Sequence, residues 1–490
     1  MSSPSSLERA SAEASEPPAE TQRRSRVSPG VWTFTTYFAE GFPYNIVHKL
    51  AEILFADLGA SLTAIGLTSL FHLPLNLKFL WASWADQYGT KRTWLLGSEL
   101  ALAAAVAAIA IASGAGSLTT LSILFVVASL LMATHDISID GYYLEALDKR
   151  QQARWVGLKA PSYRAALLIV GGPLVSAVGL IGWPAGFAMC SAGLVVLALL
   201  HTLILPPVAQ QERTFMEFWF GRPGAVVAVV FTGLGVLLSA STSAESALAL
   251  PKWFNIRIAS LVLLGVLLTG GLAGARLAYD RLQESNSAFA RGFVAFMGQP
   301  RVGSIIAFML TFRLGESFLE KMRYVFLAQH GMTKEFYGVA QGTVGLTAAL
   351  VAPLVGGWLI SRDGLRRWIW PFVLAQNALN LLYFGLAHVA EQGPVSLTTM
   401  GVVIVVEMFG AGLGTAVFMV YIMRCCMDAH RAAHMALLTS MMSVGWTLAG
   451  TVSGVLAETL GFPAYFLLTF FATLPGMLLI FGLPNLDEEP

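Results

Sequence analysis

Charge is scarce in this sequence. Only 12% of its 490 residues are Asp, Glu, Lys or Arg, while 56% are hydrophobic; soluble domains carry about 25% charged residues. A water-soluble chain of this length would fold as several domains with polar surfaces, and there are too few polar residues here to cover them. An excess of either sign is also missing. The 30 basic and 29 acidic side chains leave a net charge of +1, which gives no footing for nucleic acid. Cysteine is nearly absent: Cys190, Cys425 and Cys426 form no disulfide or metal-ligand pattern, so neither a metal centre nor a cofactor is expected. Residues 1–30 lack the apolar stretch of a secretory signal; rich in Ser, Ala, Glu and Pro, they read as a disordered cytoplasmic tail. No nucleophile motif, metal cluster or phosphate-binding loop lies near the span ends, which argues against a membrane enzyme.

What the chain has instead is apolar runs of the length that crosses a bilayer as a helix, about 20 residues. They predict about fourteen spans: 31–57, 62–85, 93–113, 118–146, 153–180, 183–205, 223–243, 257–279, 301–327, 334–360, 367–390, 396–424, 431–458 and 463–484. With the N-terminal tail inside, basic residues crowd the inner segments: Arg23, Arg24 and Arg26; Lys91 and Arg92; Lys149, Arg150 and Arg154; Arg362, Arg366 and Arg367; Arg424 and Arg431. That bias puts both termini in the cytoplasm. Twelve spans, without 223–243 and 257–279, would preserve the same signs.

The chain also repeats itself. "YFAEGFPYNIV" (37–47) and "FRLGESFLEKM" (312–322) each place a glutamate early in a long apolar segment, at Glu40 and Glu316. "WADQYGTKRTWLL" (84–96) and "LISRDGLRRWIWP" (359–371) each join two spans through an aspartate, a glycine and paired basic residues; Glu40 to Asp86 is 46 residues and Glu316 to Asp363 is 47. The expected organisation is a tail (1–30), a six-helix half (31–206), a linker with two extra helices (207–300), a second six-helix half (301–484) and a short tail (485–490). Two such halves with a site between them resemble the all-α major facilitator architecture. The Asp-x-x-Gly-x-Lys-Arg loop resembles that superfamily's cytoplasmic signature and marks Asp86 and Arg92, with Asp363 and Arg367 in the repeat, as gate residues.

Charged residues inside spans are the functional candidates, because each is costly in lipid. Glu40, Tyr44, His48 and Glu52 recur every four residues, which lays them along one stripe of a helix. Asp136, Asp140 and Tyr143 share a face of the fourth span, with His135 beside them. Arg313, Glu316, Glu320 and Arg323 share a face of 301–327; Arg313–Glu316 and Glu320–Arg323 read equally as ion pairs within that helix. Lys78 lies in the second span, Lys159, Tyr163 and Arg164 in the fifth, and Glu407 in a small-residue stretch suited to close packing. Two carboxyls on one face repel when both are ionised, so Asp136 and Asp140 suit proton exchange.

These motifs resemble the AmpG muropeptide permeases. The resemblance rests on "LKFLWASWADQYG" (77–89), "ATHDISIDGYYLEAL" (133–147), "FRLGESF" (312–318) and "VEMFGAGLGTAVFMVYIM" (406–423), and runs from about 37 to 480 outside the inserted pair. It implies a proton symporter of the bacterial inner membrane, importing anhydro-muropeptides or a similar charged polar solute. A siderophore, a coenzyme A ester or another small molecule is the alternative. It also implies proton-coupling roles for Asp136, Asp140, Glu316 and Glu407, to which the stripe adds Glu40. Tyr44, Lys78, His135, Tyr163, Arg164 and Arg313 are expected to bind substrate. The sequence departs from the family at His135, Tyr143 and Met408, where a solute would be read. The partners expected are a small-molecule substrate, protons and the lipid bilayer, with the protein acting as a monomer.

Overall fold

The computed structural model describes residues 27–78, 88–208, 288–427 and 431–484, with a few isolated positions between them. The described residues are built from helices in two sets of six. In the first set, α1 joins Pro29–Asn45, a π turn at Ile46–Leu50 and Ala51–Asp57. Then come α2 (Leu62–Leu77), α3 (Lys91–Ala115), α4 (Leu118–Ala146), α5 (Lys159–Ile181) and α6 (Trp183–Ile204). The second set is α7 (Val302–Gln329), α8 (Lys334–Asp363), α9 (Leu365–Gln392), α10 (Leu397–Arg424), α11 (Arg431–Leu460) and α12 (Phe462–Gly482). Ten of these helices are long and apolar enough to cross a membrane; α1 and α2 fall outside that group. α1 carries Glu40, Tyr44, His48, Lys49 and Glu52 among other polar residues, which lower its hydropathy without shortening the helix. Residues 1–26 of the expected tail, Asp86 and the inserted spans expected at 223–243 and 257–279 lie outside the described residues, and α1 begins at Pro29, inside the stretch expected to be tail. A further helix, Ala288–Met297, packs on α11 just ahead of α7, within the stretch expected to be linker.

Hydroxyl caps start several helices. Ser61, Thr90, Ser117, Thr333 and Ser396 each accept a backbone N–H from the first turn of α2, α3, α4, α8 and α10. Equivalent one-glycine turns, Gly182 at φ 81° and Gly461 at φ 74°, join α5 to α6 and α11 to α12. Within the halves, α3 packs between α4 and α6, and α10 between α8 and α9. The outer surface is apolar: Leu203 is 84% and Ile111 80% exposed, as a lipid-facing belt requires.

The halves meet along two seams, α2 against α11 and α5 against α8. Both are made by glycine. A Cβ on Gly454 would stand 1.8 Å from the Leu62 carbonyl oxygen, and one on Gly342 would stand 1.7 Å from the Gly171 carbonyl oxygen. On α8 and α5 the seam falls where each helix widens into a π turn, Gly338–Gly345 against Val170–Leu174. Polar contacts close the same end of the molecule. Asp57, at the end of α1, accepts from Trp183 Nε1 at 3.0 Å, from Tyr324 Oη of α7 at 2.9 Å, and from the Lys334 ammonium of α8. Glu458 of α11 accepts from Thr63 Oγ1 at 2.6 Å and from its N–H at 3.3 Å, in the first turn of α2.

Candidate functional site

The polar residues of the spans gather between the halves. On the first half, α4 presents Asp136 and Asp140 four residues apart on one face, as the helical period requires. Lys78 of α2 pairs with Asp136. Asp140 Oδ1 accepts from Tyr37 Oη at 2.6 Å and from Lys159 Nζ at 3.2 Å. The Lys159 ammonium lies 4.6 Å above the Tyr37 ring and 4.1 Å from the Tyr143 ring, so aromatic faces support the cation. Glu40 of α1 directs its carboxyl at Asp136. Its Oε2 is buried without a hydrogen-bond partner. Three carboxyl groups thus share two ammonium groups. Side-chain exposure rises from 11% at Asp136 to 52% at Asp140, so the cluster is reached from the end opposite the seams.

On the second half each acid has its own arginine. Arg313 grips Glu316 through two bonds, Nε to Oε2 at 2.9 Å and Nη2 to Oε1 at 2.5 Å, with its guanidinium 5.6 Å from the Trp446 ring. The pair sits where α7 is interrupted at Phe312 and Arg313, as Glu40 sits beside Pro43 and the π turn of α1. Arg323 donates to Glu407 Oε2 of α10 at 2.7 Å. Of the two intrahelical pairings open in the sequence, Arg313–Glu316 forms, whereas Arg323 turns to Glu407 and leaves Glu320 half-exposed. Arg323 does so because α7 and α10 bring the two buried groups together, and a charge buried that deeply needs a partner of opposite sign beside it.

Aromatic and imidazole rings of α1, α2 and α5 cluster beside these acids. Tyr44 stands 5.7 Å from Tyr163 and bonds His72 Nε2 at 3.2 Å. His48 and His72 stack with ring centroids 3.4 Å apart. Asn76 of α2 donates to Thr447 Oγ1 at 3.0 Å and accepts from Ser443 Oγ at 2.6 Å, both on α11. Tyr44 and Tyr163 therefore stand together on the first half and Lys78 pairs with Asp136 of the same half, while Arg313 stands on the second half against Glu316 and Trp446. His135 joins neither group: it is wholly buried with both ring nitrogens unpartnered, behind α4 on the side of His201. Its neighbour Asp136 takes the face turned to Lys78, and one residue further round a helix points elsewhere. Arg164 is exposed on α5.

The expected gate residues divide. Arg92 does not reach across the halves; it caps the end of α6, donating to the carbonyls of Leu205 at 3.1 Å and Thr202 at 2.7 Å. Asp363 holds the α8–α9 turn together, with Arg362 at 3.1 Å, Arg367 at 3.8 Å and Trp368 Nε1 at 3.0 Å. Among the described residues no group of three or more His, Cys, Asp or Glu is placed to hold a metal ion.

Sequence reasoning missed three polar contacts. Glu99 of α3 and His201 of α6 form a wholly buried pair, Nδ1 to Oε2 at 2.8 Å. Lys321 of α7 reaches Glu52 of α1. Asp57 makes the contacts at the closed end. For Glu99 and His201 a signal was present: each is the lone ionisable side chain in the middle of an apolar run.

Residues 302–490 match the profile of the Major Facilitator Superfamily. The chain is 24% identical over 450 residues to the anhydromuropeptide permease of Escherichia coli K12, covering 90% of this chain and 77% of that one. A Haemophilus influenzae protein of unassigned activity is 24% identical over 470 residues, covering 93% and 94%. Among solved structures, a POT family transporter in complex with 5-aminolevulinic acid superposes with a TM-score of 0.65 at 16% identity, covering 94% of this chain and 96% of that one. That likeness establishes the fold.

Proposed function

We propose, from the Major Facilitator Superfamily match over residues 302–490 and the likeness to an anhydromuropeptide permease, that this is a major facilitator protein and a proton-coupled secondary transporter of the bacterial inner membrane. Its solute is an anhydro-muropeptide or a polar molecule of similar charge, and it works as a monomer with both termini in the cytoplasm. In that orientation the glycine seams close the periplasmic end and the acidic cluster is reached from the cytoplasm.

The observation that carries this reading is Glu40. Of the five acids expected to exchange protons, it alone has no basic partner described within ion-pair distance, yet it is aimed at the Lys78–Asp136 pair. A buried carboxylate without a partner is costly. A proton on Glu40 leaves Lys78 to Asp136 and lets the halves close over the cluster. Loss of that proton puts two carboxylates on one ammonium and favours the conformer that admits water to it. The solute binds against Tyr44, Tyr163, Lys78 and Arg313, where mixed charge suits a molecule with both an amine and carboxylates. A siderophore or a coenzyme A ester is the alternative cargo for the same machinery.

The test is uptake of labelled anhydro-muropeptide by sealed proteoliposomes, with an imposed proton gradient and with the gradient collapsed. Gradient-dependent uptake is expected, and Glu40→Gln should abolish the dependence while leaving solute exchange at equilibrium. Full gradient-driven uptake by E40Q would remove Glu40 from the mechanism. No uptake by folded wild type would move the cargo to the alternative classes.

A further inference from the structure

Lys321 of α7 and Glu52 of α1 form an ion pair between the halves, and it is poorly made. Lys321 Nζ is 3.8 Å from Glu52 Oε2 and spends a better bond, 2.7 Å, on the Thr68 hydroxyl of α2. The other oxygen of Glu52 is buried with no partner. Three residues earlier on α1, the Lys49 ammonium is also buried without a hydrogen bond, 5.5 Å from the Tyr337 ring. Lys49, Glu52 and Lys321 are 8%, 5% and 9% exposed. Half-exposed Glu320 and the Arg323–Glu407 pair complete the charged surroundings. Buried charges left partly unsatisfied stabilise nothing; apolar residues of the same shape would do as well or better.

We propose that Lys321 is the receptor for an anionic group of the transported solute, and that Glu52 holds its place while the site is empty. This rests on the transporter reading above. A carboxylate or phosphate entering from the open end takes the ammonium donor that Glu52 uses badly. Glu52 then turns to Lys49, which lies at the i−3 position of its own helix, where side chains of opposite charge meet. After the exchange each ammonium has an anion of its own: Lys321 the solute, Lys49 the Glu52 carboxylate. What changes is connectivity: a pair between the halves becomes a pair within α1, and one of two polar contacts tying α1 to α7 is released, leaving Tyr324–Asp57. Solutes without an anionic group leave the tie in place. Lys321 therefore sets specificity, and Lys49 passes the result on.

Two readouts test this in the full-length protein in lipid nanodiscs. The first is binding of an anhydro-muropeptide with free carboxylates against its fully amidated form. Wild type should prefer the acid at least tenfold, Lys321→Gln should erase the preference, and Lys321→Arg should restore most of it. The second is the distance between spin labels at Ala115→Cys and Glu391→Cys, on α3 and α9 at the closed end, with the three native cysteines replaced by alanine. The acid form should populate the longer distance in wild type; in Lys49→Gln it should bind without doing so. Equal binding of both forms by wild type, or a preference that survives K321Q, overturns the inference and leaves the transporter reading intact. If wild type binds neither form, the muropeptide cargo fails and the label distance decides. Glu52→Gln without ligand should then raise the long-distance population at least threefold, and an unchanged distribution overturns the inference.

Discussion

Replacing Gly342 by alanine should open the closed end. The added Cβ would lie 1.7 Å from the Gly171 oxygen, 2.1 Å from its carbonyl carbon and 2.4 Å from the Gly172 nitrogen. All three are backbone atoms, so no side chain can swing aside. Ordinary contact begins at 3.4 Å, so α5 and α8 must part by about 1.7 Å. Overpacking of this kind costs about 1–3 kcal/mol. It falls on the conformer closed at this end and not on one in which the seam is already apart. The ratio of the two should shift by about 5- to 150-fold. Spin labels at Ala115→Cys and Glu391→Cys report the change as a gain in the longer distance. Gly357→Ala, on the same helix with open space where its Cβ would go, is the control and should shift nothing. A G342A protein that folds with an unchanged distance distribution would refute the reasoning, because it would mean the seam does not separate during the cycle.

Three further outcomes follow from named contacts. Asp57→Asn removes the charge that holds Tyr324 and Lys334; charge-assisted bonds are worth about 1.5–3 kcal/mol, less at a partly exposed site, so the same label pair should show a gain smaller than that of G342A. Glu99→Ala leaves His201 buried without its carboxylate; a buried polar group stripped of its hydrogen-bond partner costs about 1–3 kcal/mol, which thermal unfolding in detergent should register as a drop in Tm. The protein that remains folded should transport at the wild-type rate, since the pair lies away from the cavity. Arg164→Ala, at an exposed position, should change uptake less than about twofold, within the usual range for surface substitutions.

The architecture was legible in the sequence because span length and loop charge are local properties. A run of apolar residues announces itself, and the Glu40–Asp86 and Glu316–Asp363 spacings expose the duplication without any knowledge of packing. The faces of α1, α4 and α7 were legible for the same reason: the helical period alone puts Asp136 with Asp140 and Glu40 with Tyr44. Partners were not. Arg323 bonds Glu407, 84 residues away, rather than Glu320 on its own helix, and Glu52 takes Lys321 rather than neighbouring Lys49. Both choices depend on which helices stand opposite, which no local pattern records. His135 misled because adjacency in sequence to Asp136 is a change of face on a helix. Arg92 misled because a basic loop residue caps a neighbouring helix as readily as it crosses an interface.

The π turn of α1 lies between Glu40 and Glu52. A π turn holds one residue more than the α-helical path needs, so it is a phase slip that the chain can move or absorb. Each residue of an α-helix is about 100° of rotation. Absorbing the slip, so that Ile46–Leu50 runs as ordinary α-helix, would therefore turn Ala51–Asp57 about its axis while Pro29–Asn45 stayed still. Glu40 and Glu52 ride on one rod with a swivel in it. The angle between the acid that faces the proton and the acid that faces the opposite half is thus an adjustable quantity of the fold rather than a constant of the sequence.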